Sequence, residues 1–243
     1  MTGLAKEHRV AVIGAGTMGA GIAQVAAQAG HCVHVYDMVE GAAMKAITGI
    51  CAALADRVKT GKLKQSDLHG IASRLQPVSN LEDLAPARFF IEAVAEDLAV
   101  KRALFAKLEA LAQPDAIVAT NTSTLSVTAI AAGLSRPERV VGMHFFNPAP
   151  VMRLVEVIQG LATNQDVLDT VEATAEAWGK VTARCRSTPG FIVNRIARPF
   201  YAEALRLFEE RVADPVDTRC HHDPMRRFPH GPIFSDGPDR QRH

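Results

Sequence analysis

The stretch Val10 to Gly21, VAVIGAGTMGAG, constrains the fold more than any other part of the 243-residue chain. Val10 to Ile13 is a short, β-branched apolar run of the kind that fills a buried parallel strand. Gly14, Gly16 and Gly19 follow at once as G-x-G-x-x-G, and apolar residues Met18, Ile22, Val25, Ala26 and Ala29 then recur at helical spacing up to Gly30. In such a strand-turn-helix the first glycine lets the chain turn sharply, the second lets a pyrophosphate reach the backbone, and the third lets the helix sit close on the strand. The free N–H groups and positive end of the helix would meet the phosphates. The glycine spacing alone also describes many ordinary turns, so its context decides. A second apolar strand, His31 to Tyr36, ends in Asp37, 23 positions after Gly14 and near the offset of the acid that binds the adenosine ribose in such sites. A carboxylate there accepts from both ribose hydroxyls and repels a 2′-phosphate, so NAD is expected rather than NADP.

Strand and helix patterns then alternate. Ala42 to Thr60 reads as an amphipathic helix, a short helix starts near Ser66, and Leu75 to Val78 reads as a strand leading into a polar connection, Asn80 to Ala87. Strands are expected at Arg88 to Val94, Ala116 to Thr120, Arg139 to His144, Arg153 to Ile158 and Lys180 to Arg184. Helices are expected at Ala99 to Ala112, Ser126 to Ala132 and Asn164 to Trp178. Repeated βα units of this kind predict an α/β fold with a Rossmann-type, doubly wound and mostly parallel sheet, in which ligands lie outside the carboxyl ends of the strands.

Composition narrows the function classes. A formal net charge of +1 gives no electrostatic case for nucleic acid or an anionic membrane surface. The charged start, Met1 to Arg9, and the glycine-broken run after it resemble neither a signal peptide nor a membrane span. Cys32, Cys51, Cys185 and Cys220 are dispersed without a C-x-x-C, which argues against a disulfide framework and for a reducing, cytoplasmic setting. Lys59, Lys62 and Lys64 form a small basic cluster that reads as a solvated surface or as a site for a phosphorylated substrate handle.

Polar residues at the expected strand ends carry the chemistry. Asn121, Thr122 and Ser123 follow one strand; His144 ends the next and leads into an Asn147-Pro148 turn. Glu156 sits between Val155 and Val157 in an apolar strand. A buried acid there needs a partner, and a histidine one strand away is the natural candidate. By pattern alone Glu96 reads as a helix N-terminal acid and Lys101 as a solvated surface charge.

With these residues in place the sequence resembles the 3-hydroxyacyl-CoA dehydrogenase family, and within it the bacterial 3-hydroxybutyryl-CoA dehydrogenases. The resemblance rests on Val12 to Gly19 (VIGAGTMG), Asn121 to Leu125 (NTSTL), His144 to Pro148 (HFFNP) with Leu154 to Val157 (LVEV), and Thr188 to Arg195 (TPGFIVNR), in order across residues 8 to 215. It implies an NAD-dependent oxidation of a 3-hydroxyacyl-CoA, or the reverse, with His144 as base, Glu156 orienting it, and Ser123 and Asn194 lining the substrate. It also implies that Gly14, Gly16, Thr17, Met18, Gly19, Asp37, Glu96, Lys101 and Asn121 contact the cofactor. The CoA phosphates would lie near Lys59 and Lys62, and the family's partner is a second copy of the chain.

The resemblance implies domains at 1–187 (NAD binding) and from 188, where Thr188 to Gly190 reads as the hinge into an all-helical domain. A helix, Phe191 to Arg211, is expected there with a kink at Pro199. From Arg219 the composition changes: the last 25 residues hold four of the nine histidines, four prolines and five arginines, with no helical period. Metal ligation by Cys220, His221, His222 and His230 is disfavoured by irregular spacing. A disordered natural tail fits better, and a shift of reading frame better still, since codons for Gly231 to Gln241 can be chosen to encode a family-like segment one base out of frame. On that reading the helical domain, 188–218, is incomplete and the tail, 219–243, aberrant. The first domain would bind NAD, turnover would be weak or absent, leaving a catalytically impaired NAD-binding remnant, and dimerisation would be doubtful.

Overall fold

A computed structural model describes residues 3–212; the tail expected at 219–243, with its metal-ligation and frame-shift readings, lies outside the described residues. The chain divides into two units, Met1–Phe191 and Ile192–His243.

In the first unit β1 (Val10–Ile13), α1 (Thr17–Ala29), β2 (Val33–Tyr36), α2 (Ala42–Lys59), α3 (Gln65–Arg74) and β3 (Leu75–Val78) are followed by β4 (Phe89–Glu92), α4 (Leu98–Leu111) and β5 (Ile117–Thr120). A short α5 (Val127–Ala131), β6 (Val140–Phe145), β7 (Leu154–Gln159), α6 (Gln165–Ala177) and β8 (Val181–Arg186) complete it. The eight strands form one sheet in the order β3-β2-β1-β4-β5-β6-β7-β8. Strand order reverses between β1 and β4, which makes their carboxyl ends the crevice where this type of sheet takes its ligand. All neighbours are parallel except β6 and β7.

Strand residues alternate between two apolar layers, as a period of two requires. Val10, Val12, Phe89 and Ile91 pack on one face with Ile22 and Leu54. Ala11, Ile13 and Phe90 pack on the other with Phe105 and Leu108. With helices on both faces, the strands have no polar side to show, so β1 reads as unbroken apolar sequence.

Three differences from expectation have local reasons. β2 begins at Val33, because Gly30 ends α1 in the left-handed region (φ 110°) and His31 stays outside the strand, its Nδ1 3.2 Å from the His8 carbonyl. The stretch 80–87 is not simply polar: Leu84 and Ala87 are fully buried and join the second apolar layer. The helix of the second unit, α7, runs Val193–Glu209, starting two residues later than Phe191, which has φ 47°. It continues through Pro199, and Ile196, Phe200, Leu205 and Phe208 on it are exposed. Among the described residues no helix is long and apolar enough to cross a membrane.

Candidate active site

The turn after β1 is built from backbone. Gly14 has φ 100°, and a Cβ there would stand 2.5 Å from the Ala93 carbonyl oxygen, so the loops after β1 and β4 meet only because position 14 has no side chain. A Cβ on Gly19 would stand 1.7 Å from the Gly14 carbonyl, so α1 can close on the turn only with glycine there. Gly16 is the opposite case: a Cβ would meet nothing within 4 Å. It faces open space at the N-terminus of α1, where no side chain caps the helix and no acid occupies the first turn. An added side chain would intrude only on something bound, which suits a pyrophosphate drawn to the unpaired N–H groups of Thr17 and Met18 at the helix start. Asp37, just past β2, is held by two amides, with Oδ2 accepting from Ala15 N at 2.7 Å and Oδ1 from Val39 N at 2.9 Å. Its carboxylate therefore belongs to the glycine turn itself.

On the same carboxyl rim, antiparallel pairing of β6 with β7 sets His144 directly opposite Glu156. His144 Nδ1 lies 2.7 Å from Glu156 Oε2, and both residues are buried, Glu156 completely. A carboxylate only accepts, so Nδ1 carries the proton and Nε2 of the neutral ring is left as an acceptor. Two aromatic rings limit the imidazole further: Phe146 at 4.5 Å and Phe191 at 5.9 Å between centroids. Asn121, after β5, is tied to the same place, its Oδ1 accepting from Phe145 N at 2.9 Å.

The connection from β6 to β7 is pinned from the start of β8. Lys180 is buried, and its Nζ donates to the carbonyls of Ala149 at 2.5 Å and Met152 at 2.9 Å. Burial pushes its ammonium below the ordinary lysine value.

The loop after β4 corrects the pattern-based view of two residues. Lys101 is not a solvated charge: it is 1% exposed, with Nζ 2.5 Å from Glu92 Oε1 and 3.3 Å from Glu96 Oε2. Glu96 is not the capping acid of α4. Asp97 holds that place, accepting from Val100 N, while Glu96 turns towards the loop after β5. Its Oε1 accepts from the Thr122 hydroxyl (2.5 Å), Ser123 N (2.9 Å), Thr124 N (3.1 Å) and the Thr124 hydroxyl (3.2 Å). Partial burial pushes the Glu96 carboxyl up, but the Thr122 hydroxyl, the Lys101 ammonium and the Ser123 and Thr124 amides outweigh it and hold the group below its ordinary value.

Sequence reasoning missed Glu92, the last residue of β4, which is 0% exposed. The available signal was an acid closing a Phe-Phe-Ile strand, the same signal that marked Glu156. Ser123 is placed by its amide on Glu96, and Asn194 lies near the start of α7 in the second unit. Lys59, from the basic cluster, pairs with Asp56 at 2.9 Å on the surface.

Known proteins share this fold. Residues 9–188 match the family model described as 3-hydroxyacyl-CoA dehydrogenase, NAD binding domain. Residues 190–232 match the one described as 3-hydroxyacyl-CoA dehydrogenase, C-terminal domain. The chain is 52% identical over 224 residues to 3-hydroxyadipyl-CoA dehydrogenase of Escherichia coli (strain K12), which covers 92% of this chain and 47% of that protein. It is 42% identical to a probable 3-hydroxybutyryl-CoA dehydrogenase of Bacillus subtilis, covering 85% of this chain and 72% of the relative. Among solved structures, 3-hydroxybutyryl-CoA dehydrogenase from E. coli superposes with a TM-score of 0.91 at 51% identity, over 95% of this chain and 48% of that one. The enzyme of the same name from Ralstonia eutropha gives 0.89 at 35% identity, over 93% and 80%. The chain thus spans about half the length of the E. coli relative. Its first unit is an NAD-binding domain of the Rossmann type, and the chain belongs to the 3-hydroxyacyl-CoA dehydrogenase family.

Proposed function

We propose that this protein interconverts a 3-hydroxyacyl-CoA and the 3-oxoacyl-CoA with NAD, with 3-hydroxybutyryl-CoA as the reference substrate. The observation that carries this reading is the buried His144–Glu156 pair on the rim that also bears the glycine turn. Nε2 of His144 takes the proton of the substrate's secondary hydroxyl, and the Glu156 carboxylate stabilises the imidazolium that results. Bound NAD supplies the acceptor for the hydride that leaves the same carbon. Ser123 and Asn194 are assigned to the substrate oxygens, where short polar groups hold without adding charge. Gly14, Gly16, Thr17, Met18, Gly19 and Asp37 are assigned to the pyrophosphate and adenosine end of the cofactor, and Glu96, Lys101 and Asn121 to its nicotinamide side.

The names of the relatives support the substrate class: one acts on a 3-hydroxyadipyl and others on 3-hydroxybutyryl thioesters. The free thiols Cys32, Cys51 and Cys185 support a cytoplasmic setting. The test pairs a fluorescence titration with NADH with an absorbance assay of NADH consumption on acetoacetyl-CoA. Saturable binding with turnover is expected, in place of the weak or absent turnover that the frame-shift reading carries. Binding without turnover would replace this reading with that of a catalytically impaired NAD-binding protein, and absence of binding would remove both.

A further inference from the structure

We propose that Glu92 is a positioning residue: it holds the Lys101 ammonium so that the Glu96 carboxylate can brace the turn at residues 121–125, which carries Ser123. The inference rests on the reading of Ser123 as a substrate-side group.

The geometry is that of one cation shared by two anions. Lys101 Nζ is 2.5 Å from Glu92 and 3.3 Å from Glu96, so its stronger bond is to Glu92. An ammonium this deeply buried needs an anionic partner. Glu92 meets that need with every near donor aimed at it: Oε1 accepts from Lys101 Nζ and, at 2.8 Å, from Val94 N, while Oε2 accepts from the Thr120 hydroxyl at 2.7 Å. Thr120 Oγ1 in turn accepts from Thr122 N at 3.2 Å, which fixes the direction of its own proton towards Glu92. A protonated or amide side chain at position 92 would set a hydrogen against one of these donors, so the site calls for a carboxylate.

Glu96 stands differently. Its Oε1 is committed to four donors of residues 122–124, and only Oε2 leans on Lys101. With Glu92 neutralised, Glu96 becomes the sole carboxylate beside a buried ammonium. The 3.3 Å gap leaves room for it to move towards Nζ and away from the turn.

The experiment compares the wild-type chain, Glu92→Gln and the double variant Glu92→Gln with Lys101→Met, reading amide exchange at Ser123 and Thr124 by NMR, with β1 amides as an internal reference. Exchange at Ser123 and Thr124 is expected to rise about tenfold in E92Q. It is expected to return to within about threefold of wild type in the double variant, where no ammonium competes for Glu96. Unchanged exchange in E92Q, a double variant as fast as the single one, or an equal rise in β1 would each overturn the proposal. Where E92Q alone does not fold, the double variant must still show wild-type exchange at both amides, and failure to do so sinks the idea. Steady-state assay of the same proteins adds a second readout: E92Q is expected to raise KM for acetoacetyl-CoA more than it lowers kcat. A wild-type chain without turnover would remove the proposed function while leaving the exchange result to decide the role of Glu92.

Discussion

Glu156 and Glu92 are two fully buried glutamates in one sheet, each beside a nitrogen base, yet their surroundings make them opposites. Glu156 meets His144 straight across an antiparallel pair, and an imidazole can take or release a proton near neutral pH. Glu92 meets Lys101 from the following helix and accepts from Val94 and Thr120 as well. An ammonium gives up its proton far less readily than an imidazole. The first arrangement suits proton exchange; the second fixes a charge so that a neighbouring loop keeps its shape. The base and the remaining donors set the role, while the acid is the same in both.

The largest separation of the two should come from His144→Gln. It removes the base and leaves the Glu92 cluster untouched, so kcat for acetoacetyl-CoA reduction should fall by about 10²–10⁴-fold. NADH affinity, read by fluorescence, should stay within about threefold of wild type. Equal losses in binding and turnover would show that His144 shapes the cofactor site instead.

Stability should order the glutamates the other way. Glu92→Ala leaves the Lys101 ammonium buried and unpaired and should cost about 3–5 kcal/mol in urea unfolding. Glu156→Ala leaves an imidazole that can stay neutral and should cost about 1–3 kcal/mol. If Glu156→Ala proves the more damaging, the contrast drawn from their partners is wrong.

A smaller effect sharpens the comparison on the Glu92 side. Because Glu96 is held below its ordinary value, the unfolded chain binds its proton at a higher pH than the folded one. Its stabilising contribution is therefore complete above the ordinary carboxyl value of 4.5 and is lost as pH falls through the depressed folded value. Glu96→Gln should flatten that part of the stability-versus-pH curve. The change should be modest, since the side chain is 39% exposed and partly screened. An identical slope in wild type and variant would contradict it.

These contrasts also explain what could be read from the chain. The glycine turn was legible because its geometry is local: Gly14, Gly16 and Gly19 act on backbone within a few residues, and Asp37 follows at a fixed offset. The His144–Glu156 pair was legible because an acid inside a valine-rich strand demands a partner, although its register depends on β7 running antiparallel. The acid closing β4 carried a signal, but the pairing of Glu92 with Lys101 was not legible. The two lie nine residues apart across a loop, and on a helix face Lys101 reads like any surface lysine. Only the approach of α4 to the sheet, which sequence periodicity does not give, turns that lysine inward. Leu84 and Ala87 hid in the same way, as apolar residues in a stretch with a polar average.

The single antiparallel step in the sheet, after which β7 and β8 both run opposite to the other six strands, has a consequence for how the site is built. A parallel β7 would need a crossover of a dozen or more residues after β6, whereas the reversed strand needs only the short connection of residues 146–153. His144 and Glu156 are therefore only 12 positions apart in the sequence. The acid–base pair travels as a single hairpin-sized cassette. It needs nothing from β1 or β2 for its own register, so the proton-handling half of the site and the half that awaits the dinucleotide are set by separate strand pairings.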